Sequence, residues 1–222
     1  YAIYPQATAQ TGCRLLLCLQ KGFIMNTPII LASTSVFRQQ QLRTLGIPFT
    51  AAKPMFDETP LAGESAADTA LRLAEGKARS LAEIYPQHWI IGADQVAWCN
   101  GRQLGKPMSV ANAEQMLREL SERRIEFYSA VCVLDTAKSS LHTHVDTTVV
   151  QMRALSDEQI RRYLAREPDA VYCAGAAKSE GLGAALLRRI DSEDPNALIG
   201  LPLFWLVSCL QRLGFDVLTE GE

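Results

Sequence analysis

Along the chain, short apolar runs alternate with stretches of helical period. Ile29-Ile30-Leu31-Ala32 is an unbroken apolar run, the pattern of a buried strand. Ser33-Thr34-Ser35 follows with helix N-cap hydroxyls. Phe37 to Leu45 then predicts a helix with Leu42 and Leu45 on one face, stopped by Gly46. Phe49 to Lys53 predicts a second strand, and Pro54 to Gly63 a loop holding Asp57-Glu58-Thr59-Pro60. Ala70, Leu73, Ala74, Ala78 and Leu81 recur at helical spacing, so Ala66 to Tyr85 predicts a long helix. Trp89 to Asp94 reads as a buried strand ending in an acid.

Further on, Ala111 to Leu120 predicts a helix with Asn112 in its first turn, and Ser156 to Arg166 another with Asp157 and Glu158 at its start. Phe127 to Leu134, His144 to Arg153, Tyr172 to Ala176 and Ala185 to Ile190 predict strands. Leu201 to Leu213 is a closing apolar helix ended by Gly214. Strands and helices interleave throughout, which predicts an α/β fold. The middle, about Gln103 to Ala170, is expected to form a second lobe.

Composition narrows the function classes. The 222 residues suit one large domain or two packed lobes, and 48% apolar with 21% charged residues is globular usage. A net charge of -2 argues against a basic nucleic-acid surface. No apolar run approaches the roughly 20 residues of a membrane span. Six cysteines at irregular spacings, without C-x-x-C, indicate neither a zinc clip nor a disulfide scaffold; Cys132 and Cys173 read as buried thiols, and a reducing cytoplasm as the compartment. Residues 1–24 contain no acid, and Met25 opens the pattern of a domain, so 1–24 read as a non-native or disordered extension and 25–222 as the domain. Leu15-Leu16-Leu17-Cys18-Leu19 fits a secretory signal poorly, lacking both a preceding cationic segment and a small-residue cleavage site.

Several polar positions stand out. Ser33, Ser35 and Arg38 lie where a strand meets a helix, and helix N-terminal N–H groups suit phosphate. Asp94 closes an apolar strand, where α/β proteins place ligands. Glu58 lies in the acidic loop, Lys77 on an amphipathic helix, Lys106 between Gly105 and Pro107, and Glu180 in a glycine-containing loop. His142-x-His144 could put two imidazoles on one face, but no third ligand accompanies them. No histidine accompanies Ser33 or Ser35 to activate a nucleophile, and Gly105-Lys106-Pro107 is not a phosphate-binding P-loop.

The ordered series L-A-S-x-S-x-x-R, D-E-T-P, G-K-A, G-A-D-Q-V, G-K-P, A-K-S-E-G and G-L-P-L resembles the Maf family of nucleoside triphosphate pyrophosphatases from about Ile29 to Leu218. Within the family it is most similar to the bacterial branch described as acting on 7-methyl-GTP. The resemblance implies a Maf/ITPase-like fold, with a mixed twisted sheet flanked by helices and two lobes with a cleft between them. It implies hydrolysis between the α- and β-phosphates with a divalent metal, Mg²⁺ or Mn²⁺. Asp94 matches the proton-accepting aspartate. Ser33, Ser35, Arg38, Lys77 and Lys106 match substrate-binding positions, Glu58 and Asp94 metal positions, and Phe37, Gln95 and Glu180 specificity positions. The chain departs from the usual family pattern at Val36 and Gln39, and Phe37 stands where the branch often has Trp.

The chemistry agrees. Arg38, Lys77 and Lys106 would offset the charge of a triphosphate, whose cleavage depends on positioning and charge neutralisation. A Glu180 carboxylate would accept from both guanine N1–H and its 2-amino group. Phe37 could stack on a cationic N7-methylated base, with a cation–π gain of roughly 0.5–2 kcal/mol; it could equally pack its helix on the sheet. The expected partner is a nucleoside triphosphate, with no nucleic acid and no membrane, and a homodimer is plausible by resemblance. The alternative is a nucleotide-binding regulator of septum formation or division arrest without turnover.

Overall fold

The computed structural model describes residues 27–59 and 61–220, and the expectations for residues 1–24 and Met25 lie outside them. Seven strands form one sheet: β1 (Ile29–Ala32), β2 (Thr50–Ala52), β3 (Trp89–Cys99), β4 (Arg102–Leu104), β5 (Arg124–Asp135), β6 (Ser140–Met152) and β7 (Leu187–Asp191). Its order is β2-β1-β3-β5-β6-β7, with β4 folded back on β3. β1 runs parallel to β2 and β3, and every other pairing is antiparallel. The helices are α1 (Val36–Arg43), α2 (Ala66–Arg79), α3 (Val110–Leu120), α4 (Asp157–Arg166), α5 (Leu203–Arg212) and the short α6 (Val217–Glu220). This is an α/β fold with a mixed sheet flanked by helices. Among the described residues, no helix is long and apolar enough to cross a membrane.

Local chemistry sets the helix starts. Ser35, Ser65, Ser109 and Ser156 each turn an oxygen onto a first-turn N–H, and Ser156 with Gln159 completes a capping box. α2 stops at Arg79, short of the expected Tyr85. Leu81 N–H already reaches back only to Ala78, turns follow, and Pro86 lies beyond.

Three sequence expectations are corrected. Tyr172 to Ala176 is not a strand but 3₁₀ turns at Pro168–Tyr172 and Ala174–Ala176. Gly175 and Ala176 have φ of 74° and 56°, which breaks any extended run, and burial of Ala170, Val171 and Ala176 beneath α3 and α4 overrides the apolar pattern. Cys173, expected buried, is only partly so, whereas Cys132 is fully buried. The third correction is that β3 does not end at Asp94. It continues to Cys99 because β5 pairs with it from Trp89 to Trp98.

The alternation of β3 assigns its residues to two faces. Ile90 and Val96 face α2, where Ala70, Ala74 and Ala78 present a small-residue surface. Ile91 and Ala93 face α5 and Leu42 of α1, while Ala97 and Cys99, farther along the same face, join a second cluster beneath α3 and α4. Between these two apolar clusters runs a polar row in register across three strands, Gln95, Ser129 and Asp146.

Candidate active site

Gly92 determines how close α2 comes to the sheet. A Cβ there would lie 2.1 Å from the Ala74 carbonyl oxygen, so only glycine permits this approach. Lys77, the next turn of α2, thereby reaches Asp94, with Nζ 2.5 Å from Oδ1. The same ammonium lies 2.9 Å from Glu58 Oε2. Gly76 positions the Glu58 loop, because the Phe56 ring packs where its Cβ would stand, 2.3 Å away. Lys77 and Asp94 side chains are 7% and 12% exposed, and Glu58 is 55% exposed. A buried pair thus opens to solvent through its third member.

β1 ends at Ala32, in register with Gly92, so Asp94 lies beyond the carboxyl end of the parallel pair. That is the crevice where α/β sheets place ligands. Although Asp94 is not a strand terminus, it stands where the parallel part of the sheet ends.

Sequence reasoning missed two residues that brace this cluster. Arg72 of α2 grips Glu64 with two bonds, 2.7 and 2.8 Å, and reaches the Thr59 carbonyl at 3.4 Å. That pairing holds the Glu64 carboxyl below the usual range, and the Asp94 charge also acts on Arg72. Their spacing at the start of a helix resembles an ordinary surface pair, so no local signal marks them.

The remaining sequence candidates form other groups. Ser33 is buried, and its Oγ accepts from Ser35 N–H at 3.1 Å, while Ser35 Oγ caps α1. Arg38 donates Nε to the Gly200 carbonyl at 2.9 Å. Gln95, on the opposite face from Asp94, donates Nε2 to Ser129 Oγ, 2.9 Å away, and to the Ala197 and Leu198 carbonyls, each at 3.0 Å. Carbonyls accept only, so this amide is oriented with Oε1 as its unengaged acceptor side. Buried Ser129 also donates to Ala197 O at 2.7 Å, and Asp194 holds the same segment through Asn196 and the Phe204 N–H. Neither Ser129 nor Asp194 was singled out from sequence.

Phe37, at the start of α1, lies beneath Lys178, whose Nζ is 6.0 Å from the ring centroid. Lys106 and Glu180 are exposed. Both charges act on the partly buried Cys173. Its thiol is pushed up to about 11, first by burial, then by the Glu180 charge, against the opposing charges of Lys178 and Lys106. Among the described residues, no ion pair or hydrogen bond joins Arg38 or Lys106 to the Lys77–Asp94–Glu58 cluster.

Among the described residues no set of three or more His, Cys, Asp or Glu is placed to hold a metal ion. Glu58 and Asp94 both reach the Lys77 ammonium, and as two neighbouring carboxylates they match the one or two that a Mg²⁺-type ion takes, its shell being completed by substrate phosphates and water, with Lys77 having to move aside for it. His144 is instead stacked on Trp205, centroids 5.5 Å apart. An open groove along β5 to β7, lined by Arg124, Arg188 and Arg189, lies toward the β7 edge of the sheet, on the face that α2 covers elsewhere, and carries none of these residues.

Residues 28–213 match the family model described as Maf-like protein. A protein of Neisseria gonorrhoeae called 7-methyl-GTP pyrophosphatase is 62% identical over 194 residues, covering 87% of this chain and 99% of its own. Proteins of the same name from Chromobacterium violaceum and Nitrosospira multiformis are 52% and 43% identical, each over at least 85% of this chain and 95% of their own. With the family model spanning most of its length and relatives this similar end to end, the chain belongs to the Maf family.

Proposed function

We propose that this protein is a nucleoside triphosphate pyrophosphatase that hydrolyses 7-methyl-GTP to 7-methyl-GMP and pyrophosphate in the cytoplasm, with residues 25–222 as its functional domain. The observation that carries this is a buried acid–lysine pair, Asp94 with Lys77, opening through Glu58 beyond the parallel strand ends. The shared name of the relatives supports the substrate.

In the reaction, a water oxygen attacks the α-phosphorus and the bond to the α–β bridging oxygen breaks. Pyrophosphate leaves, and the water's proton passes to the Asp94 carboxylate. Lys77, held by Asp94 and Glu58, is placed to turn its ammonium onto a phosphate oxygen as charge develops there. Arg38 and Lys106, with Ser33 and Ser35 at the α1 N-terminus, bind the rest of the triphosphate across the cleft between the two lobes. A divalent ion held by Glu58 and Asp94 would neutralise phosphate charge and polarise the bond that breaks. Phe37 stacks on the base, Glu180 accepts from its Watson–Crick edge, and Gln95 offers the acceptor left by its oriented amide.

The test is pyrophosphate release from a panel of canonical and modified triphosphates with Mg²⁺ or Mn²⁺. Turnover fastest on 7-methyl-GTP is expected, and Asp94→Asn lowers it by at least about 10³-fold while the far-UV spectrum is unchanged. Tight nucleotide binding without release by the wild type would instead favour a regulator.

A further inference from the structure

The loop carrying Glu180 is wrapped around one carboxylate outside the proposed reactive cluster. Glu167, just past the end of α4, accepts from Lys178 Nζ at 2.9 Å with one oxygen and from Leu182 N–H at 3.1 Å with the other. A Cβ on Gly181 would stand 2.5 Å from that second oxygen, so a side chain here would push the Glu167 carboxylate out of this position. The Lys178 backbone is held as well. Its N–H donates to Tyr163 Oη at 3.0 Å, its carbonyl accepts from Gly181 N–H at 3.0 Å, and a Cβ on Gly183 would lie 2.4 Å from that carbonyl oxygen.

Lys178 is therefore a lysine with little freedom, partly buried at 19% side-chain exposure, between two acids and a ring. Glu167 is 2.9 Å and Asp169 3.9 Å from its ammonium, and the Phe37 ring centroid is 6.0 Å away. The pairing draws the Glu167 carboxyl below its usual range and raises Lys178. A base stacked on Phe37 would lie beside this ammonium. An N7-methylated guanine is cationic, so an unpaired Lys178 would repel it, while a neutral purine would feel far less.

We propose that Glu167 is a positioning residue for base selection, neutralising Lys178 beside Phe37 so that a cationic purine ring is accepted there over a neutral one. This rests on Phe37 being the base-stacking residue of a purine triphosphate pyrophosphatase. Neither Glu167 nor Lys178 touches the phosphates in this account, so their effect lies in base binding rather than in the bond-breaking step.

The experiment compares kcat and KM for 7-methyl-GTP and GTP in the wild type, Glu167→Gln, Lys178→Met and the double variant. Gln at 167 keeps one acceptor for Leu182 N–H and removes both the charge and the acceptor facing Lys178, leaving that ammonium only the more distant Asp169, and thermal melting checks that each variant folds. Glu167→Gln is expected to lower the 7-methyl-GTP to GTP ratio of kcat/KM by about fivefold, a modest size because the pair is partly solvated. The change appears in KM for 7-methyl-GTP, with kcat held, and it shrinks as salt is raised. Lys178→Met in the Glu167→Gln background is expected to restore the ratio, since the under-compensated cation is gone. Equal losses on both nucleotides, or a ratio the double variant fails to restore, would overturn the assignment while leaving the pyrophosphatase intact. No turnover by the wild type on any triphosphate would overturn the pyrophosphatase itself, and this inference with it.

Discussion

Among the described residues, two lysines each sit between two carboxylates, and they differ mainly in burial. Lys77 lies 2.5 and 2.9 Å from its acids with 7% of its side chain exposed, and Asp94 is 12% exposed. Lys178 lies 2.9 and 3.9 Å from its acids at 19% exposure, on a loop rather than against the sheet. The first cluster is built on the sheet, with α2 drawn in by Gly92; the second is a loop folded around Glu167. Removing one member of a buried pair strands an uncompensated charge, whereas water relieves most of that penalty at a partly exposed pair. The same lysine–carboxylate chemistry therefore serves as an anchored charge site in one place and as an adjustable one in the other.

The widest test of this contrast is Lys77→Met. It leaves the Asp94 carboxylate buried without its cation, and a loss of about 3–5 kcal/mol in denaturant unfolding is expected, together with loss of pyrophosphate release. Lys178→Met should unfold close to the wild type, and equal destabilisation by the two would break the comparison.

A smaller effect is expected from Gly92→Ala. Its new methyl meets backbone, the Ala74 carbonyl, so α2 must move away from β3 and take Lys77 with it. A stability loss of about 1–3 kcal/mol is expected, with a fall in kcat exceeding any rise in KM. Unchanged kinetics would mean that the spacing between α2 and β3 does not set the Lys77–Asp94 contact.

A third group has acids and no lysine, and gives the smallest effect. Asp146 is buried, and its carboxyl is raised first by burial and then by Asp194, with Glu193 adding to the rise while His144 and a hydrogen bond from Thr148 oppose it. Raised in the native state, this acid binds its proton more tightly folded than unfolded. Its stabilising contribution is full below the unfolded carboxyl pKa and is lost as pH rises through the native value. Asp146→Asn does not titrate, so its Tm should exceed that of the wild type by about 2–4 °C at pH 8 and match it near pH 4. A constant difference across that range would remove Asp146 from the pH dependence of stability.

Much of the fold is legible in short stretches because its causes are local. Ser35, Ser65, Ser109 and Ser156 begin helices through oxygens acting within three residues, and the Ile29–Ala32 run has no way to be anything but covered. Tyr172 to Ala176 misleads for the opposite reason. Its apolar residues are buried beneath α3 and α4 as turns, a destination the local pattern does not encode. Asp94 is legible as an unusual acid in an apolar strand, but the strand's true end depends on β5, more than thirty residues later. Arg72, Ser129 and Glu167 carry no local signal, since their partners are what distinguish them from surface or core residues.

By itself the sequence determined the alternation of strands and helices, the capped helix starts and the membership of a family with a recognisable order of polar motifs. The tertiary structure alone decided which charges meet. Asp94 and Gln95 are neighbours in the chain yet point to opposite faces, one to Lys77 and the other to Ala197 and Leu198. The reason is that backbone and capping interactions act over a few residues, whereas a charge finds its partner only when packing brings distant segments within a few ångströms.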